Sequence, residues 1–167
     1  IHNLGSMDVL CTDKTGTLTE ARIHLERHVD GLGRDSSRVL ELAYLNSFFE
    51  SGLRSPMDDA ILEHKEIEIA AWKKIDEVPF DFERRRISVI VDNGQHKLLV
   101  VKGAPEDILR LSTHYEENGE SDLKELDEAG LARIQALSET FARDGFRVLG
   151  VAWKRVAATE HHAVIDD

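Results

Sequence analysis

Ile87-Ser88-Val89-Ile90-Val91-Asp92-Asn93-Gly94-Gln95-His96-Lys97-Leu98-Leu99-Val100-Val101 decides the architecture of this chain. Two runs rich in β-branched residues flank Asn93-Gly94, a dipeptide with strong turn chemistry. Residues 87–92 and 97–101 therefore read as an antiparallel hairpin. Upstream, 75–80 reads as a further strand. Downstream, Gly103-Ala104-Pro105 opens a short helix over 106–111, with proline at a position where the missing N–H costs nothing.

Working outward, Asp35 or Ser36 caps a helix running to about residue 50, with Val39, Leu40, Ala43 and Ser47 along one side. Ser55-Pro56 caps a second helix, to about 64. Leu126, Gly130, Ile134, Leu137 and Phe141 recur every three to four residues, an amphipathic helix that Gly145 ends. Residues 23–30 and 146–153 read as strands, 114–122 as a loop around Asn118-Gly119, and 67–74 fits no single pattern. Together these give an α+β (α/β) fold, an antiparallel-rich sheet flanked by helices.

The chain has 167 residues, 41% hydrophobic and 32% charged, which suits one soluble globular domain or one domain plus part of another. Its one cysteine, Cys11, permits no intrachain disulfide and fits a reducing compartment. The net charge of −11 argues against a nucleic-acid partner. It also means that an anionic ligand would need the scarce cations gathered at one place. No apolar run exceeds four residues, so no membrane span is expected. The N-terminus has no basic stretch followed by an apolar one, so no signal peptide is expected either. Because residue 1 is isoleucine, the chain reads as a piece of a longer protein.

Residues 7–12 form a short apolar run that reads as a buried strand ending at Asp13. Asp13-Lys14-Thr15-Gly16-Thr17-Leu18-Thr19 follows. A carboxylate at a strand end, a lysine beside it, and a glycine with three threonines supplying donors suit phosphoryl transfer to a carboxylate. This heptad is the signature of the P-type ATPases, which the chain resembles over residues 1 to about 156. Related phosphatases of the haloacid dehalogenase type commonly carry a second aspartate two residues after the nucleophile. Thr15 stands there, and a hydroxyl does not titrate at neutral pH. That favours a pump over a phosphatase using Asp13; a ligand-free interaction domain is the third reading.

The resemblance implies that residues 1–20 are a piece of the phosphorylation domain, 21–156 a nucleotide-binding domain, and 157–167 a tail returning toward the phosphorylation domain. Asp13, Lys14 and Thr15 take catalytic roles, with Asp13 and Thr15 also holding Mg2+ in the intact enzyme. Three stretches are similar to the family's ATP site. Ser55-Pro56-Met57-Asp58-Asp59-Ala60-Ile61 puts Asp58 near the adenine amino group. Val78-Pro79-Phe80-Asp81-Phe82-Glu83-Arg84-Arg85-Arg86 puts Phe80 against adenine and Arg85 where many members have lysine. Strand alternation would let only one face of the arginine triplet serve the ligand. Val101-Lys102-Gly103-Ala104-Pro105-Glu106 puts Lys102 deep in the adenosine pocket, with Gly103 letting the ligand approach the backbone. Arg147 takes the place of an arginine that reaches the phosphates.

The wording around Trp72-Lys73-Lys74-Ile75-Asp76-Glu77 is most similar to bacterial magnesium-transporting members. The partners implied are ATP and the pump's remaining phosphorylation, actuator and transmembrane domains, at the cytoplasmic face of the cell membrane. The chain lacks the family's Gly-Asp-Gly-x-x-Asn-Asp magnesium motif and its Thr-Gly-Glu loop. The fragment alone is therefore expected to bind ATP without turnover. The 7–12 strand, cut off from its native sheet, is expected to pack on the domain's hinge or on a neighbouring molecule.

Overall fold

The computed structural model describes residues 23–52, 54–64, 66–117 and 122–156. Four strands form its main sheet: β1 (Lys73–Asp81), β2 (Arg86–Asp92), β3 (Lys97–Gly103) and β6 (Gly150–Arg155), in the order β1-β2-β3-β6 and antiparallel throughout. The hairpin read from sequence is β2–β3. Its pairs run from Arg86↔Gly103 to Asp92↔Lys97, so the loop is the four residues 93–96. Gly94 sits there at φ 84°, and the Asn93 side chain accepts hydrogen bonds from the N–H groups of Gln95 and His96.

Both faces of the sheet are covered. On one, Val89, Val91, Leu98 and Val100 meet Leu42 and Leu45 of α1 (Ser37–Phe49). On the other, Ile90, Leu99 and Val101 meet Ile108 of α3 (Pro105–Leu111). That explains why β2 and β3 carry near-continuous apolar runs rather than alternation. Helix α1 lies between the sheet and α2 (Pro56–Leu62), which packs Ile61 against Ala43 and Tyr44. It therefore buries Leu42, Tyr44, Leu45 and Asn46 as well as the expected Leu40, Ala43 and Ser47. Asn46 donates from its amide to the carbonyls of Ile87 and Val100, at 3.1 and 2.9 Å, and so fixes α1 against the sheet.

The remaining elements are peripheral. Strands β4 (His114–Glu116) and β5 (Leu123–Glu125) form a small hairpin where a loop was expected. Helix α4 (Glu128–Arg143) carries its apolar stripe toward Tyr115 and the 25–33 segment and fully buries only Gly130. Its N-cap, Asp127, accepts from the Gly130 N–H at 2.7 Å. Asp127→Ala is expected to cost about 1 kcal/mol, read as a shift of the urea midpoint with unchanged slope.

Two strand expectations are corrected. Residues 23–30 form no strand; they make one isolated bridge, Val29↔Asp35, and Leu25 packs instead on the Ala43–Tyr44–Ile61 cluster. The last strand begins at Gly150 rather than at 146, because its partner β3 ends at Gly103, opposite Gly150. The expected strand 7–12, the Asp13 motif and the 157–167 tail lie outside the described residues.

A buried ion-pair cluster beside an exposed phenylalanine

One end of the sheet gathers the candidate residues. Val78 pairs with Ser88 and Asp81 with Arg86, so Pro79 and Phe80 together oppose Ile87, a β-bulge. Ile87 pairs with Lys102, and Lys102 with Val151. Phe80, Ile87 and Lys102 thus form a row across three adjacent strands, with Phe80 and Lys102 roughly 10 Å apart at ordinary strand spacing. Phe80 is not a core residue. It is 50% exposed and packs edge-on against Phe82, which is 90% exposed, at 5.3 Å between centroids.

Lys102 is its opposite, 4% exposed and pointing to the α1 face. Its ammonium donates to the Asp58 carboxylate and, at 2.6 Å, to the Ser47 hydroxyl; Glu50 stands 3.7 Å away. Asp58 comes from the first turn of α2, where Ser55 and Asp58 form a reciprocal capping box. Its Oδ2 accepts from the Ser55 N–H at 3.0 Å and hydroxyl at 2.6 Å, and its Oδ1 from Lys102 and Ser47. Burial alone would raise the Asp58 pKa. The Lys102 ammonium, with hydrogen bonds from Lys102 and Ser55, outweighs it and lowers the carboxyl to about 2. Both Asp58 oxygens are engaged within the chain.

Glu50 was not anticipated. Its side chain is 2% exposed, yet neither carboxylate oxygen has a hydrogen-bond partner. One sequence signal was available: Glu50 is the C-cap of α1, the helix end where the dipole disfavours negative charge.

The arginine triplet is not a strand triplet. Glu83, Arg84 and Arg85 lie in the turn joining β1 to β2, and only Arg86 begins β2. Asp81 organises that turn, accepting from the N–H groups of Glu83 and Arg84, while the Arg85 N–H closes on the Asp81 carbonyl at 2.7 Å. Arg85 itself takes a left-handed φ of 51°. Its half-exposed guanidinium meets Glu106 at 2.8 Å and Asp107 at 3.4 Å.

Gly103 has a steric reason within the chain itself. A Cβ there would lie 2.5 Å from the Arg85 carbonyl oxygen and 2.6 Å from Arg86 Cβ. The space beside Gly103 is filled by the chain's own β1–β2 turn, fastened by the Ala104 N–H on the Arg85 carbonyl at 3.2 Å.

Arg147 lies three residues before Gly150, at the same sheet end, and is exposed. It lines a cleft of about 370 Å3 with Met57, Ala60 and Leu149. A second cleft, about 770 Å3, lies under α4. Both are walled mainly by aliphatic side chains, and neither includes Phe80 or Lys102. The candidate residues gather at the sheet end, where charged groups and an exposed aromatic ring converge. Among the described residues, no three metal-ligating side chains come together, and no helix is long and apolar enough to cross a membrane.

The antiparallel sheet backed by helices agrees with what the sequence itself matches. The family described as P-type ATPase, cytoplasmic domain N covers residues 45–166. The chain belongs to that family. It is 48% identical over 166 residues to the magnesium-transporting ATPase, P-type 1, of Escherichia coli strain K12, a match covering 96% of this chain and 18% of that protein. Its counterpart in Salmonella typhimurium strain LT2 is 48% identical over 168 residues, again 96% of this chain and 18% of the relative. A calcium-transporting ATPase of Listeria monocytogenes is 24% identical over 192 residues, spanning all of this chain and 22% of the relative. The chain thus spans about a fifth of the length of these relatives.

Proposed function

We propose that this chain is the ATP-binding unit of a cation-transporting P-type ATPase, with magnesium as the cation. The observation that supports the reading is the row Phe80–Ile87–Lys102, which brings an exposed aromatic residue and a buried lysine to the same end of the sheet. The ring of Phe80 stacks on the adenine. Asp58 holds Lys102 in place from α2, and Lys102 supplies the positive charge at the depth of the site. Arg85 and Arg147, both solvent-accessible at the same end, face the phosphates.

In the intact pump, an Asp13 carboxylate oxygen attacks the γ-phosphorus, the bond to the bridging oxygen breaks, and ADP leaves with that bond's electron pair. Lys14 and Thr15 stabilise the charge on the transferred group. Asp13 and Thr15, together with the nucleotide, would hold a magnesium ion, which would neutralise phosphate charge. The isolated chain binds ATP without turnover. The partners are the remaining phosphorylation, actuator and transmembrane domains, at the cytoplasmic face of the cell membrane. The 48% identity to magnesium-transporting ATPases supports the choice of cation.

Calorimetric titration of ATP tests this. The chain is expected to bind with a Kd of roughly 0.1–1 mM. Phe80→Ala should weaken binding by about 1–3 kcal/mol, the worth of one base–aromatic stack. Asp13→Asn should leave the affinity unchanged, because the base and sugar are held at the sheet end. Loss of binding in Asp13→Asn with wild-type affinity in Phe80→Ala would overturn the assignment.

A further inference from the structure

Glu50 makes no hydrogen bond from either carboxylate oxygen, although its side chain is 2% exposed. The charged groups that face it come from three elements. Lys102 of β3 stands at 3.7 Å, Asp58 comes from α2, and Arg54 from the segment between the two helices. Glu77 of β1 is adjacent through Ser51, whose N–H it accepts at 2.9 Å. Asp58 is already satisfied by Lys102, Ser47 and Ser55. One buried ammonium therefore serves two buried carboxylates, and the second stands 3.7 Å from it with no hydrogen bond of its own.

A buried charge with no hydrogen-bond donor is costly, and the group relieves the cost by taking up a proton. An ionised Glu50 would compete with Asp58 for Lys102 and would leave the cluster with a net negative charge beside the place where an anionic ligand binds. A neutral Glu50 does neither.

We propose that Glu50 is a positioning residue for Lys102: in its neutral form it leaves the ammonium on Asp58 and the site open to the nucleotide, and in its ionised form it draws the ammonium off Asp58 and adds a negative charge that repels the ligand. The proposal rests on the nucleotide-binding reading above and adds a proton to it. Binding of the nucleotide then carries uptake of a proton by Glu50. Burial, the largest influence, pushes the Glu50 carboxyl up to about 7 against the opposing pull of Lys102. A group titrating there is about tenfold less often neutral at pH 8 than at pH 6, and the apparent affinity follows the competent fraction.

The test is ATP titration of the wild-type chain and of Glu50→Gln at pH 6 and pH 8, with urea unfolding of both chains across the same range. Glutamine keeps the shape and removes the proton. ATP titrates in this range on its own account, but equally for both chains, so the difference between them reports Glu50. The wild-type Kd is expected to rise about tenfold more than that of Glu50→Gln between pH 6 and pH 8. The wild type should also lose stability over this range while the variant does not. Equal pH dependence of binding in two chains that both bind overturns the inference and leaves the nucleotide reading standing. No binding by either chain at any pH overturns the nucleotide reading, and this inference with it. Superimposable pH–stability profiles show that Glu50 does not titrate in this range and overturn the inference whatever the binding result.

Discussion

Lys102→Met is expected to cost the chain about 3–5 kcal/mol of folding stability at pH 8, the usual penalty for stripping a buried ion pair of one partner. The variant leaves Asp58 and Glu50 buried together with no cation between them, since both carboxylates now rely on Lys102. The cost should shrink at pH 5, where both acids can take up protons. Asp58→Asn should cost less, about 1–2 kcal/mol, because Glu50 stands 3.7 Å from the ammonium and becomes its counter-ion.

The wild type has its own pH dependence. The Glu50 carboxyl is raised from 4.5 to about 7, so the folded state binds more protons than the unfolded one between those values. Stability therefore falls as the pH rises through that window. Asp58, lowered from 3.8 to about 2, contributes stability above 3.8 that is lost as the pH falls through 2. Urea unfolding of the three chains at pH 5 and pH 8 checks this. A Lys102→Met chain as stable as the wild type at pH 8 would show that the cluster is not the electrostatic unit described.

Gly103→Ala should be nearly as damaging, at about 3 kcal/mol. The added methyl would lie 2.5 Å from the Arg85 carbonyl oxygen and 2.9 Å from Arg86 Cα, both backbone atoms that cannot rotate away. Relief requires either parting the end of β2 from β3 or opening the Arg85 turn. Either change moves Phe80 and Arg85, so ATP affinity should drop in the folded fraction too. Gly52→Ala is the control: nothing lies within 4 Å of its Cβ position, and the expected change is within about 0.5 kcal/mol. Equal urea midpoints for the two variants would remove the steric account of Gly103.

The β2–β3 hairpin was legible because turn chemistry and apolar runs agree in one short stretch, and nothing distant is needed to set its register. Helices α1 and α2 were legible from Ser36 and Ser55, whose side chains cap them as expected. The failures share a cause. In residues 23–30 the apolar side chains Ile23, Leu25 and Val29 alternate as in a strand. A ladder needs a partner, and Leu25 spends its apolar surface on α1 and α2 instead. Likewise, the start of β6 is set by where β3 stops, which its own sequence does not encode. At the site, resemblance supplied Asp58 and Lys102 as ligand residues. Their mutual ion pair depends on α2 stacking over α1, across 44 residues of chain. Glu50 was hidden for the same reason, since one glutamate at a helix end looks like any solvated charge until the packing around it is known.

Among the described strands β6 lies at an edge of the sheet, and the described chain leaves through it at Val156, whose N–H is bonded to the Lys97 carbonyl at 2.9 Å. Tension arriving from residues beyond 156 falls first on that bond and then on the Leu98↔Arg155 pair, so the β3–β6 ladder opens like a zipper, one rung at a time. Strands β1 and β2 do not pair with β6 and meet that load only through β3. A mechanical pull would therefore register as early loss of amide protection along β6, while β1 and β2 stay in place.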